Sequence, residues 1–150
     1  MNNPPLPLGK LRLDLLEQIL PEPSSLSPSV VVGPKIGEDA TVVDLGSTYL
    51  VIKTDPITFA TDEIGWYVVC VNSNDLATMG ATPKWLQVTI LLPENRTTED
   101  LVRDIMNQIT TACQPFNISL CGGHTEVTHG LDRPLVVGNM LGKVPNNTLN

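Results

Sequence analysis

The stretch Val71-Asn72-Ser73-Asn74-Asp75-Leu76-Ala77-Thr78-Met79-Gly80-Ala81 closes a longer pattern that begins at Ile64. Ile64, Val68, Val71, Asp75 and Met79 recur at three- and four-residue intervals, which predicts a helix over 64–79. Gly80 suits a helix C-terminus, and Pro83 forbids continuation. Asp75 falls on the same stripe as Val68 and Val71. An unpaired carboxylate on a buried face costs on the order of several kcal/mol. A metal ion or a backbone cap would remove that cost.

Apolar runs flank this helix on both sides. Downstream, Trp85 to Leu92 predicts a central strand, and Pro93 to Arg96 a turn. Thr97 with Asp100 resembles a capping pair for a second helix, whose stripe is Leu101, Ile105, Ile109 and Ala112 and which ends near Pro115. Ile118 to Cys121 predicts a short strand, Gly122-Gly123 a turn, and Leu135 to Leu141 a last strand. Upstream, Val30 to Val32, Thr41 to Asp44 and Tyr49 to Lys53 predict three strands, the last two forming a hairpin. Thr54 to Glu63 reads as a loop. Residues 1–29 hold an apolar helical stripe, Leu11 to Leu20, and a Pro/Ser-rich connector. Residues 30–145 form the domain, and 146–150 begin a linker. This order favours an α+β fold: one mixed sheet with helices packed on one face. The other face needs cover, which a second subunit would supply, because large exposed apolar faces are rare on monomers.

The chain has 150 residues, enough for one domain that buries roughly 70% of its unfolded surface. Its net charge of −7, with no run of Lys or Arg, argues against nucleic acid as a partner. No apolar run approaches the ~20 residues that span a bilayer, and Met1 to Pro7 does not resemble a signal peptide. Cys70, Cys113 and Cys121 show no CxxC spacing, which points to buried, reduced thiols and a cytoplasmic location.

Three acids stand at element boundaries or on an apolar stripe: Asp39, Asp55 and Asp75. Each has two readings. It can cap a helix or close a turn, or it can hold Mg²⁺, which takes a few carboxylates together with phosphates and waters. Gly122-Gly123-His124 likewise is either a plain tight turn or a close backbone approach to a ligand. His124 and His129 have no partners at zinc spacing. The G-x-x-x-x-G-K-[ST] and G-x-G-x-x-G phosphate loops and the G-x-S-x-G elbow are absent.

Taken in order, these motifs resemble a known superfamily. Gly37-Glu38-Asp39-Ala40 resembles its G-[DE]-D-A loop, and Thr54-Asp55 its T-D. Asn72 to Ala81 resembles its N-D-[LI]-A-x-M-G-A helix end, and Gly122-Gly123-His124-Thr125 its G-G-[DHE]-T. The superfamily joins aminoimidazole ribonucleotide synthetase, formylglycinamidine ribonucleotide synthetase, thiamine-monophosphate kinase, selenophosphate synthetase and HypE. The likeness runs from Val30 to Val144 and is greatest for the HypE branch. The resemblance implies an N-terminal domain that binds ATP and Mg²⁺ and pairs with a second copy as a homodimer. Asp39, Asp55 and Asp75 would be metal ligands. Gly37, Glu38, Thr54, Asn72, Asn74, Gly122, Gly123 and His124 would lie beside the nucleotide. The implied activity is ATP-dependent activation of an acceptor oxygen, completed by a C-terminal domain beyond this stretch. The alternative is a dimerisation or nucleotide-sensing module without turnover. The purine enzyme's T-D-G-V-G-T-K is absent, and His124 stands where the thiamine kinase has an acid.

Overall fold

The computed structural model describes residues 4–145. Helix α1 spans Leu13–Ile19, α2 Ile64–Thr78 and α3 Glu99–Cys113. The strands are β1 Val30–Val32, β2 Thr41–Asp44, β3 Thr48–Ile57, β4 Thr82–Pro93, β5 Ser119–Thr128 and β6 Leu135–Pro145. They form one six-stranded sheet in the order β1-β2-β3-β6-β4-β5. Every neighbouring pair is antiparallel except β4–β5, which is parallel and joined through α3. The predicted α+β class with a single mixed sheet is therefore the fold.

Helix α2 lies across β3, β6 and β4, and α3 packs beside α2 toward β5. Alternation along the strands decides which residues meet them. On β6, Val136, Met140 and Val144 are buried under the helices, and on β4, Leu86, Val88, Ile90 and Leu92. The intervening Val137 and Leu141 of β6, with Trp85 and Leu91 of β4, point to the opposite face and are only half-buried. No described helix covers that face as α2 and α3 cover theirs. Part of it is polar: Asn139 donates to Gln87 at 3.3 Å, and the Lys143 ammonium stands 5.1 Å from the Trp85 ring centroid.

The seat of α2 depends on one close approach. Gly138 of β6 lies under Asn72, and a Cβ at position 138 would collide with the Asn72 amide and the Val68 side chain. Asn72 is 0% exposed, the only polar residue among the buried described ones. Its amide donates to Val68 O at 2.8 Å and reaches Asp55 O at 3.4 Å. The helix is thereby tied to β3 by a polar group that only a side-chain-free position opposite can admit.

Several local expectations are corrected. The strand ending in Lys53 continues to Ile57, because β6 pairs with it along its whole length. Thr54 and Asp55 are thus strand residues, not loop residues. Gly122-Gly123-His124 is no turn either; it runs inside β5, paired to β4 from Gln87 to Thr89. Gly123 sits so close to the Val88 backbone that no side chain would fit there. Thr98, not Thr97, caps α3: its hydroxyl accepts from Leu101 N at 3.2 Å, while Thr97 donates to Pro93 O at 2.7 Å. Helix α1 forms but buries none of its residues. Cys121 is exposed rather than buried. The linker expected at 146–150 lies outside the described residues.

Gly138→Ala is expected to destabilise the domain by about 1–3 kcal/mol, the usual cost of forcing atoms into a packed interface. Gly122→Ala should stay within about 0.5 kcal/mol, because its added Cβ would meet only Gln87 Nε2, at 3.7 Å. Urea denaturation of both variants checks this; equal losses would show that the Asn72–Gly138 approach is not the constraint.

Candidate functional site

Strand β2 pairs with β3 only as far as Thr41 opposite Ile52. Beyond that point β3 has no described partner on the β2 side, and the chain entering β2, Gly37-Glu38-Asp39-Ala40, arrives beside this free edge. The period of two puts Lys53 and Asp55 on the helix face of β3. There they meet the last turns of α2. The Lys53 ammonium lies 2.9 Å from an Asp75 carboxylate oxygen and 3.7 Å from one of Asp55. Asp39 joins from the other side: Thr78 donates to its carboxylate at 3.3 Å and to Asp75 O at 2.8 Å. Burial pulls the Lys53 pKa down, but the Asp75 hydrogen bond and the charges of Asp55, Asp75 and Asp39 outweigh it, leaving Lys53 above its ordinary value.

The three predicted acids therefore gather at one place, around Lys53, which in the sequence stands only as the end of an apolar run. Spacing offered a signal: Lys53 stands two residues before Asp55, which in a strand means the same face. Asn72 stands under the cluster, its amide on the Asp55 carbonyl. Gly37 and Glu38 are exposed in the adjoining loop, with Glu38 N donating to Lys35 O at 3.1 Å. Gly37 has φ +91, a conformation that favours glycine.

Other predicted residues lie elsewhere. Asn74 is exposed on the outer side of α2. Thr54 points to the opposite face from Asp55 and donates to Gly138 O at 2.9 Å. Gly122, Gly123 and His124 are on the edge strand β5, with β6 and β4 between them and β3. At about 4.8 Å per strand, three strand spacings put them roughly 14 Å from the acids within one chain. His124 pairs with Glu126 at 2.8 Å on the helix-free face.

Two hollows flank the acidic cluster. One of about 300 Å³ is lined by Lys35, Glu38, Asp39, Lys53 and Thr54, with Leu16 of α1 at its wall. The other, about 690 Å³, opens against Asp55 and is lined by Lys10, Thr58, Phe59, Asp132 and Arg133. Among the described residues no three His, Cys, Asp or Glu side chains are close enough to hold a metal by themselves. Asp55 and Asp75 do, however, share one positive charge, that of Lys53. A carboxylate pair of this kind suits Mg²⁺, which is commonly bound by one or two carboxylates plus phosphates and waters.

A sheet with two helices on one face and acids gathered at the free edge of β3 defines the class of domain. Residues 37–144 match the family model for the AIR synthase related protein, N-terminal domain, and the chain belongs to that family. It is 28% identical over 130 residues to a putative hydrogenase expression/formation protein of Methanocaldococcus jannaschii, covering 83% of this chain and 38% of that protein. It is 31% identical over 120 residues to a thiamine-monophosphate kinase of Rhodopirellula baltica, covering 69% of this chain and 37% of that one. Its fold is similar to that of the hydrogenase maturation protein HypE in complex with ATP, with a TM-score of 0.59 at 23% identity over 73% of this chain and 34% of HypE. The chain thus spans well under half the length of these relatives.

Asp75→Asn is expected to lower stability at pH 7 by about 1 kcal/mol, a modest loss because the pair is partly solvated and Asp55 and Asp39 remain near Lys53. The sign of its pH dependence follows from Lys53. A lysine raised in the folded state contributes fully below its unfolded value near 10.5, and that contribution is lost as pH rises through the folded value. Wild-type and Asp75→Asn stabilities measured from pH 7 to 12 should converge at the alkaline end; a gap independent of pH would exclude the ion pair as its source.

Proposed function

We propose that this chain is the ATP- and Mg²⁺-binding half of an AIR synthase-related, HypE-like enzyme that uses ATP to activate an oxygen of its acceptor. The observation that carries this reading is the shared ammonium: Asp55 on β3 and Asp75 on α2 both reach the Lys53 charge, with Asp39 alongside. Three motifs far apart in sequence supply one anionic corner. Two relatives support the same chemistry: one is a thiamine-monophosphate kinase, and HypE forms a complex with ATP.

Asp55 and Asp75 would hold the metal, with Asp39 facing it from the loop. Mg²⁺ supplies charge neutralisation for the polyphosphate when bound. The protein's part is positioning. Asn72 ties the α2 end bearing Asp75 to the Asp55 backbone, which fixes the spacing of the two carboxylates. Thr78 holds the Asp39 carboxylate toward the same corner. Gly37 and Glu38 are exposed at the mouth, where phosphates can approach.

The helix-free face fits the dimer that the family resemblance implies. Val137, Leu141, Trp85 and Leu91 are half-buried there, and a second copy of this face would cover them. Such pairing would also bring a second Gly122-Gly123-His124 edge to the assembly. The rest of the enzyme, a C-terminal domain, would complete the acceptor site.

Calorimetric titration of Mg²⁺ with ATP into this chain should show one site. Asp55→Asn and Asp75→Asn should each weaken it at least tenfold with the fold intact, because Asn keeps the shape and removes the charge. Unchanged affinity in both variants would remove these acids from the site. Light scattering should show a dimer, and Leu141→Asp should shift it to a folded monomer; a monomeric wild type would leave the open face without a second copy.

A further inference from the structure

We infer that Lys53 is a tethered cation that holds the metal's place between Asp55 and Asp75 and makes metal and nucleotide bind together. The inference rests on the proposed Mg²⁺–ATP site and concerns how that site fills. Its basis is geometric. The Lys53 side chain is only 18% exposed, and its ammonium touches Asp75 at 2.9 Å and lies 3.7 Å from Asp55. Among the described residues no other lysine or arginine forms an ion pair with either acid. The positive charge thus occupies the position from which a cation would bridge the β3 and α2 carboxylates.

Three consequences follow from charge alone. A bare divalent ion must displace the ammonium from Asp75, and the displaced charge then stands beside the new one; like charges at this distance repel. A polyphosphate arriving with the metal changes the balance, because its oxygens accept the ammonium that the carboxylates release. The free edge of β3 and the hollow lined by Lys35, Asp39, Lys53 and Thr54 leave room for that swing toward solvent. Metal and nucleotide are therefore positively coupled, with Lys53 as the coupling element.

The test measures Mn²⁺ binding by electron paramagnetic resonance, with and without ATP, in wild type, Lys53→Met and Lys53→Gln, each checked for folding by circular dichroism. Wild type should bind Mn²⁺ alone weakly and gain at least tenfold in metal affinity from ATP. Both variants should bind Mn²⁺ alone at least tenfold more tightly than wild type and lose most of the gain from ATP. Variants that bind Mn²⁺ no better than wild type would overturn the role of Lys53, even if wild type still binds Mn²⁺–ATP and the site itself stands. Absence of Mn²⁺–ATP binding in wild type would instead overturn the site. In wild type the Lys53 side-chain NMR signal provides a check that needs no variant. It should shift with Mg²⁺–ATP and stay in place with Mg²⁺ alone at the same concentration; a shift with Mg²⁺ alone contradicts the coupling.

Discussion

The contact between Asn72 and Gly138 sets the position of α2, and nearly everything of interest in this domain is carried by where α2 ends. A buried amide is tolerated in an apolar interface only when it is hydrogen-bonded. Asn72 places its amide NH2 on Val68 O and the Asp55 carbonyl, while its buried Oδ1 has no hydrogen-bond partner among the described residues, and the missing side chain at 138 gives it space. One helical turn later Asp75 emerges at the edge of that interface, and its carboxylate meets Lys53. Apolar contacts are non-directional, so the hydrogen bond to the Asp55 carbonyl adds a directional constraint on where the helix sits along the sheet. The polar tie opposes a shift along the sheet, and the acidic corner that Asp55 and Asp75 form from two separate elements gains a defined width.

The sheet makes a complementary contribution. Because β2 stops pairing at Ile52 while β3 continues to Ile57, the central strand exposes backbone and alternating side chains on one side just where the Gly37–Ala40 loop passes. A strand ended at Lys53 would have left Asp55 in a loop, without the fixed two-residue period that places it beside Lys53. The long β3–β6 ladder holds that extension in place. The placing of Asp55 beside Lys53 thus depends on a mismatch in strand lengths.

Much of this was legible in the residues, and what was hidden was hidden for physical reasons. Helix α2, the hairpin and the mixed sheet followed from periodicity and turn chemistry, since burial imposes both. The family motifs located the acids, and the structure gathers them. Gly122-Gly123 read as a turn because two glycines usually mark one; here the strand uses Gly123 to lie against the Val88 backbone, a requirement that only the partner strand reveals. The α3 cap shifted by one residue because Thr97 and Thr98 are alike locally and only the tertiary bond of Thr97 to Pro93 separates them. Lys53 escaped notice because a lysine at a strand end is usually solvated, and its three acidic neighbours come from three different segments. The deepest polar residue proved to be Asn72 rather than Asp75: α2 buries Ile64, Gly65, Val68, Val69, Asn72 and Leu76, so the stripe drawn through Val71, Asp75 and Met79 lies to one side of the buried face and these three are only half-buried.

The proposed meeting place of metal and nucleotide is the corner formed by Asp39, Asp55 and Asp75. Paramagnetic broadening of backbone amides by Mn²⁺–ATP reads that location directly, since the effect falls off steeply with distance from the ion. The amides of Glu38 to Ala40, Lys53 to Asp55 and Asp75 to Thr78 should vanish first, at sub-stoichiometric Mn²⁺, while those of α3 persist. Preferential loss of signals elsewhere in the domain, with those three segments unaffected, would contradict it.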